Sequence, residues 1–464
     1  MTRPSGALDR NVCQAGSAAL QWHERLALVV YSVVLVLLQV LLRRKLRQRA
    51  QQEPAYGQNV EERFGQYDTG LAPQGGYVWI HAVSLGETHA AATLLRQLRQ
   101  ALPGMRLLLT HGTATGRAAG KDLLLPGDVQ VWQAWDTPGA TRRFVARFRP
   151  QIGLLVETEV WPNLVRACHE AGVPVCLVNA RMSGKSLRQT QRLRWLAAPA
   201  YRALSAVWAQ TEEDARRLRV LGAPVDAVLG NLKFDTTPDV RLLAQGQAQR
   251  QAVDKPVVLF ASSRETEEQM LLEVLRAPQS WGAPSGRPDA KQQAARPLAS
   301  VQWLVVPRHP QRFDAVAALF ESAGLSVSRR SVDGSGFAPA DIWLGDSLGE
   351  MALYLGLADA ALLGGSFAPL GGQNLIEAAA CACPVVMGPH TFNFAQAAEM
   401  AQSEGAAFAV GGMAQAVRFV LQLVHNPQVL EDASSAAVAF AGRHQGAAQR
   451  TCDYVVGWCT GRGL

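Results

Sequence analysis

Residues 364–389, GGSFAPLGGQNLIEAAACACPVVMGP, constrain the fold more than any other stretch. A short apolar run, Ala360 to Leu363, enters a loop carrying Gly364, Gly365, Gly371 and Gly372, and a second apolar run starts at Pro384. Between them the spacing predicts a helix over about 374–382. Strand, glycine loop, helix and strand in that order read as a βαβ unit of a parallel sheet. Glycines let the backbone pass close to a ligand, and the unpaired N–H groups at a helix start suit a phosphate. Glu377, one turn into that helix, offers a carboxylate to ribose hydroxyls. A βαβ turn without a ligand has the same pattern, so the rest of the chain has to decide.

The scheme recurs. Short apolar strands are expected at Tyr77 to Val83, Arg106 to Thr110, Val129 to Trp132, Ile152 to Val156, Pro174 to Val178 and Val207 to Gln210. A second series is expected at Val257 to Ala261, Gln302 to Val306, Ile342 to Leu344, Ala360 to Leu363 and Pro384 to Met387. Helical spacing lies between them, as where Ala91, Leu94, Leu95, Leu98 and Leu102 share one face. Alternation of this kind predicts an α/β fold with parallel sheets covered on both faces. A chain of 464 residues is too long for one core, so two Rossmann-like domains are expected. The boundaries read as a start and apolar helix over 1–50, a first domain over 51–240, a second over 241–446, and a final helix over 447–464 packing back on the first. Residues 52–75 read as a connector, 236–254 as a hinge, and 278–300 as a surface insertion with no catalytic part. Ligands of open parallel sheets bind at the carboxyl ends of the strands, so a cleft between the domains is the expected site.

Leu26 to Leu42 is an apolar run of 17 residues interrupted only by Ser32 and Gln39, at the lower edge for crossing a bilayer. Arg43, Arg44, Lys45, Arg47 and Arg49 follow, and the positive-inside tendency keeps what comes after them in the cytoplasm. With no polar face visible, the run reads as a membrane anchor, spanning or embedded in one leaflet. A buried amphipathic helix is the alternative. The net charge of +7 favours an anionic partner. No basic run alternates with aromatics as a nucleic-acid platform requires, which leaves a membrane surface and excludes nucleic acid. The seven cysteines are odd in number and show no CxxC spacing, which suits reduced cytosolic thiols and argues against a zinc site or disulfide frame.

The residues that carry chemistry should follow strands. Glu87, just past the first strand, is either a general base facing the cleft or an acid stabilising a helix start. Glu157 and Glu159 in ETEVWPN are a metal site, a charge relay or a helix-start acid pair. No Asp-x-Asp occurs, which weakens a metal-bound nucleotide-sugar site. Arg181 offers a bidentate grip on an anion, and Lys233 in GNLKFD offers charge for a leaving group or merely lies on the surface. Arg308, after another strand, suits a nucleobase or phosphate. With Ser347 to Glu350, and with Asn374 and Glu377, it makes three loops suited to one nucleotide. Cys381 and Cys383 read as core, and His390 stays ambiguous.

The strings HAVSLGET, ETEVWPNL, VNARMS, GNLKFD, VPRHPQRF, GDSLGEM, GGQNLIEAAA and VMGPHTFNF, in this order, resemble the 3-deoxy-D-manno-octulosonic acid (Kdo) transferases. The resemblance covers the chain from about Tyr56 onward. It implies the two-domain GT-B glycosyltransferase fold with an N-terminal membrane anchor, at the cytoplasmic face of the inner membrane. It also implies transfer of Kdo from CMP-Kdo, the donor substrate, to the lipid A precursor, with inversion, without a metal and without a cofactor. By position, Glu87 matches the family's proton acceptor, and Glu157 and Lys233 its transition-state stabilisers. Pro307 and Arg308, then Leu348, Gly349 and Glu350, then Asn374, Leu375, Ile376 and Glu377, match its CMP-binding segments. Gln373 stands where many members have histidine, and the 278–300 insertion is foreign to the pattern. The alternatives are another GT-B transferase using a UDP-sugar on a lipid, and a non-catalytic membrane-tethered nucleotide-binding scaffold.

Overall fold

The computed structural model describes residues 20–67, 75–235, 238–277, 297–334 and 336–461. The expectations for residues 1–19 and for most of the 278–300 insertion lie outside these residues. The chain divides into two compact units, one made of Met1–Asp235 with Gln445–Leu464, the other of Thr236–His444.

Among the described residues the first unit holds seven strands: β1 Tyr77–His81, β2 Arg106–His111, β3 Val129–Trp132, β4 Ile152–Val156, β5 Val175–Ala180, β6 Ala206–Ala209 and β7 Val225–Val228. They form one sheet in the order β3-β2-β1-β4-β5-β6-β7, and every pairing is parallel. β1, β4 and β5 are buried along their whole length, as strands covered on both faces must be. Trp79, Leu108, Phe144 and Leu155 fill one face, and Ile80, Leu94, Leu154 and Trp208 the other. The Ala447–Gly461 helix joins the second layer through Ala448, Cys452 and Val455. Asp235 receives the N–H groups of Gly446 and Ala448 at its start.

The second unit repeats the architecture with β8 Val257–Ser263, β9 Gln302–Pro307, β10 Val327–Arg329, β11 Ile342–Leu344, β12 Ala360–Leu363, β13 Val385–Met387 and β14 Ala407–Ala409. Their order is β10-β11-β9-β8-β12-β13-β14, again all parallel. Phe260, Trp303, Phe320 and Val386 anchor its core. Each sheet has a central switch point, between β1 and β4 in the first and between β8 and β12 in the second, and the second sheet also exchanges β10 and β11 at its edge. Connections leave such a place toward opposite faces, which opens a crevice beyond the strand ends where ligands bind.

Several expectations need correction. Residues 238–254 are more than a polar stretch: they contain the Val240–Gln251 helix, which packs on the Met351–Leu357 helix. The contact is glycine on backbone, since a Cβ on Gly246 would stand 2.1 Å from the Leu353 carbonyl oxygen. An arginine- and glutamine-rich helix seated through a glycine shows no apolar stripe to read. Residues 52–75 are not simply a connector. They include the short turns Pro54–Gly57 and Val60–Phe64, with Tyr56 stacked on Trp132 at 5.8 Å and the buried Arg63 lying 4.1 Å above the same Trp132 ring. The strands absent from the sequence reading, β7, β10 and β14, are all at sheet edges, where burial is broken and apolar continuity is lost. The apolar run lies within a 31-residue helix, Trp22–Gln52. That helix has a narrow polar seat on the first unit, where Tyr31 Oη donates to Asp136 Oδ2 at 3.0 Å.

Candidate active site

In the first unit the acidic residues collect at the switch point. The chain leaves β1 through Val83 and enters the Leu85–Ala101 helix, with Ser84 as N-cap. Ser84 Oγ accepts the Glu87 N–H at 3.4 Å, and the Glu87 side chain reaches back over the helix start: its Oε2 accepts from the Val83 N–H at 2.7 Å and its Oε1 from Ser84 Oγ at 3.0 Å. The helix-start role read from the sequence is therefore real. It also fixes the carboxylate in place without excluding chemistry. Burial, with the negative charges of Glu159 and Glu157 nearby, pushes the Glu87 pKa up to about 7 against the two hydrogen bonds.

β4 ends at the neighbouring position, and Glu157 follows it with a left-handed φ of 64°. A residue with a Cβ rarely holds that conformation. Here it turns a buried carboxylate toward Lys233, whose Nζ lies 2.7 Å from Glu157 Oε1. Lys233 sits in the turn Leu232–Phe234, where Asn231 Oδ1 accepts from its N–H at 3.0 Å. Asn179, at the end of β5 with φ 52°, accepts the Leu232 N–H at 2.9 Å. The Arg181 N–H donates to the Glu157 carbonyl at 3.3 Å. Three strings far apart in the chain thus form one patch. Glu159 is half-buried and accepts from Trp161 Nε1 at 2.8 Å, and its pKa is raised by burial and by Glu157. The partner observed for Glu157 is Lys233, an ion pair that the metal, relay and helix-start readings did not name.

In the second unit the segments singled out from sequence follow β9, β11 and β12. Gly365, Gly371 and Gly372 have φ of 72°, 92° and 76°, and a Cβ on Gly364 would stand 2.1 Å from the Ser262 carbonyl oxygen. Only glycine fits this loop. Its frame is Glu267, a buried residue that the sequence reading passed over. Its carboxylate accepts from Gly365 N–H at 2.7 Å, Phe367 at 2.9 Å and Ala368 at 3.1 Å. The bond to Gly365 ties the helix after β8 to the loop after β12, across the second switch point.

Pro307 is buried, and Arg308 is exposed beyond it with its N–H on the Ser263 carbonyl at 2.9 Å. Glu377 has its pKa raised by burial, partly offset by the positive charge of Arg308, so the two share one field. Leu375 and Ile376 are core residues, and Asn374 Oδ1 accepts the Ile376 N–H at 3.1 Å. The helix itself is shorter than expected. It runs Ile376–Ala380, five residues, and ends in a turn where Ala382 has φ 60°. So short a helix carries little dipole, and the Gly364, Gly365 and Gly372 N–H groups already donate to the Ala261 carbonyl, Glu267 and the Gly365 carbonyl, so what this site offers an anion is Arg308. Glu350 pairs with Arg330 at 3.0 Å and is bonded by Ser347, so its carboxylate is already engaged. Leu348 is 72% exposed, and Gly349 has φ 80°.

The family profile described as 3-Deoxy-D-manno-octulosonic-acid transferase (kdotransferase) matches residues 58–236. The 3-deoxy-D-manno-octulosonic acid transferase of Bordetella pertussis is 46% identical over 393 residues, 83% of this chain and 88% of that one. The chain belongs to the Kdo transferase family. As a Kdo transferase it is a glycosyltransferase. Among solved structures, the UDP-GlcNAc 2-epimerase of Neisseria meningitidis bound to UDP-GlcNAc is 14% identical, with a TM-score of 0.52, and covers 82% of this chain and 100% of that one. A glycosyltransferase from Rickettsia africae ESF-5 is 12% identical, with a TM-score of 0.51, and covers 82% and 98%. At such identities the likeness is one of fold. The Kdo transferase has two parallel seven-stranded sheets of the GT-B type, as the sequence led one to expect.

Proposed function

We propose that the enzyme transfers Kdo from CMP-Kdo to the lipid A precursor in lipopolysaccharide core biosynthesis, at the cytoplasmic face of the inner membrane. It acts with inversion and needs neither a metal nor a cofactor. Family membership gives the sugar, and one observation carries the mechanism: a fixed carboxylate with its pKa near neutrality beside a lysine-paired acid, at a switch point. A base poised near the working pH is what removal of a proton from an attacking hydroxyl requires. Glu87 takes that proton. The acceptor oxygen bonds to the anomeric carbon of Kdo while the bond from that carbon to the phosphate oxygen of CMP breaks. The electron pair leaves on the phosphate, which needs no proton to depart. A single displacement of this kind inverts the anomeric centre.

Lys233, oriented by Glu157, stabilises charge in the transition state. Arg308 meets the cytidylate phosphate. Pro307, Leu348, Gly349, Glu350, Asn374, Leu375, Ile376 and Glu377 shape the rest of the CMP site, with Glu377 accepting from ribose hydroxyls. The open apolar face of the Trp22–Gln52 helix and the basic residues after it support a membrane surface and an anionic lipid acceptor.

Competition binding tests the donor: CMP should bind the protein and UDP should compete weakly. Tighter binding of UDP would favour transfer from a UDP-sugar. Turnover that EDTA abolishes, and an added divalent ion restores, would end the metal-independent reading.

A further inference from the structure

The Trp22–Gln52 helix is seated on the first unit along nearly its whole length. Its protein-facing stripe runs Glu24, Leu28, Tyr31, Leu35, Leu42 and Leu46 at helical spacing, with Glu24 and Leu46 buried and the others half-buried. Glu24 Oε1 pairs with Arg202 at 2.7 Å near one end. In the middle of the apolar run Tyr31 bonds Asp136, and Ser32 Oγ donates to Asn163 Oδ1 at 3.1 Å. Asp136 also receives the Asn163 and Leu164 N–H groups at 3.1 and 2.7 Å, so this seat belongs to the domain's own frame. Beyond the run, Arg43 Nη2 reaches Glu61 Oε2 at 3.0 Å. The opposite face is apolar and open, with Leu26, Val33, Leu37 and Val40 between 51% and 75% exposed.

A helix crossing the bilayer cannot keep these contacts. Glu24 and Arg43 bracket a rise of about 29 Å, close to the hydrocarbon thickness. Spanning would put their two ion pairs, both with one folded unit, on opposite sides of the membrane. It would also place the Tyr31 and Ser32 bonds at mid-depth, where the irregular backbone around Asp136 has no place in lipid.

We propose that this helix lies in the plane of one leaflet, its open face among the acyl chains and the first unit at the headgroups. The inference rests on the membrane reading above and fixes its geometry. The lipid is an anionic phospholipid surface. Arg44, Lys45 and Arg47 are exposed at one end. At the other end Trp22 and Trp195 are exposed, with the His23 ring 5.5 Å from Trp195, in the manner of interfacial aromatics.

The test uses the full chain carrying Cys13→Ser, since the remaining cysteines are buried. Trp22→Cys and Arg47→Cys, each at an exposed position, are bound separately to sealed vesicles of phosphatidylcholine and phosphatidylglycerol. A membrane-impermeant maleimide is then added outside. Both variants should label fully without detergent; a variant that labels only after detergent would overturn the proposal. As a second measurement, a fluorophore on Leu26→Cys, Val33→Cys or Val40→Cys should be quenched equally, and better by a shallow nitroxide lipid than by a deep one. Deepest quenching at Val33 would mean a spanning helix. Failure to bind these vesicles, with a dimer in solution, would give the face to a second copy and refute the proposal. The labelling is read without turnover, so loss of Kdo transfer alone would strike the proposed function and leave this inference standing.

Discussion

At the residue scale the account turns on Glu87. Only its ionised form accepts a proton, so kcat/KM should rise with pH through about 7 and level off above it. Glu159 helps hold that pKa up by repulsion, so Glu159→Gln should move the rising limb to lower pH, as a pH–rate profile would show. Lys233→Ala leaves the buried Glu157 carboxylate without its ammonium. Urea unfolding should show a loss of about 1–3 kcal/mol, together with a fall in kcat. Some of this was legible in the sequence: Ser84 and Glu87 stand at capping-box spacing, and their strand-end position is plain. The contacts that arrange the site were not. Asn179 meets Leu232 across 53 residues and Glu267 meets Gly365 across 98. Periodicity reads neighbours within a turn or two, and it has no access to such pairs.

At the element scale the glycine loop after β12 is the part that tolerates least. A Cβ on Gly364 meets the β8 backbone, the Ser262 carbonyl oxygen at 2.1 Å and that of Ala261 at 2.7 Å. Gly364→Ala should therefore lower the melting temperature and weaken CMP binding together, by a thermal melt with and without CMP. Glu267→Gln keeps the shape but loses charge on an acceptor of several N–H groups. It should weaken CMP binding more than it lowers the melting temperature. The sequence showed where this loop lies and that glycine is required. It overstated the helix behind it, because the apolar Ala-Cys-Ala-Cys continuation looks helical while the chain turns at Ala382.

At the scale of the whole molecule, the strands that sit inside each sheet were legible as apolar runs, and of the four edge strands only β3 was. The same reason hid the seat of the Trp22–Gln52 helix: one tyrosine and one serine in an apolar run look like noise until their partners, more than a hundred residues away, are known. The central claim is that Glu87 is the base in Kdo transfer. The direct measurement is release of CMP from CMP-Kdo in the presence of tetraacyl lipid A precursor, with mass spectrometry of the lipid product, for the wild type and for Glu87→Gln. The account predicts CMP and a Kdo-bearing lipid from the wild type, and a rate lower by about 10²–10⁴-fold in the variant with CMP affinity unchanged. A variant that transfers Kdo at the wild-type rate would contradict it.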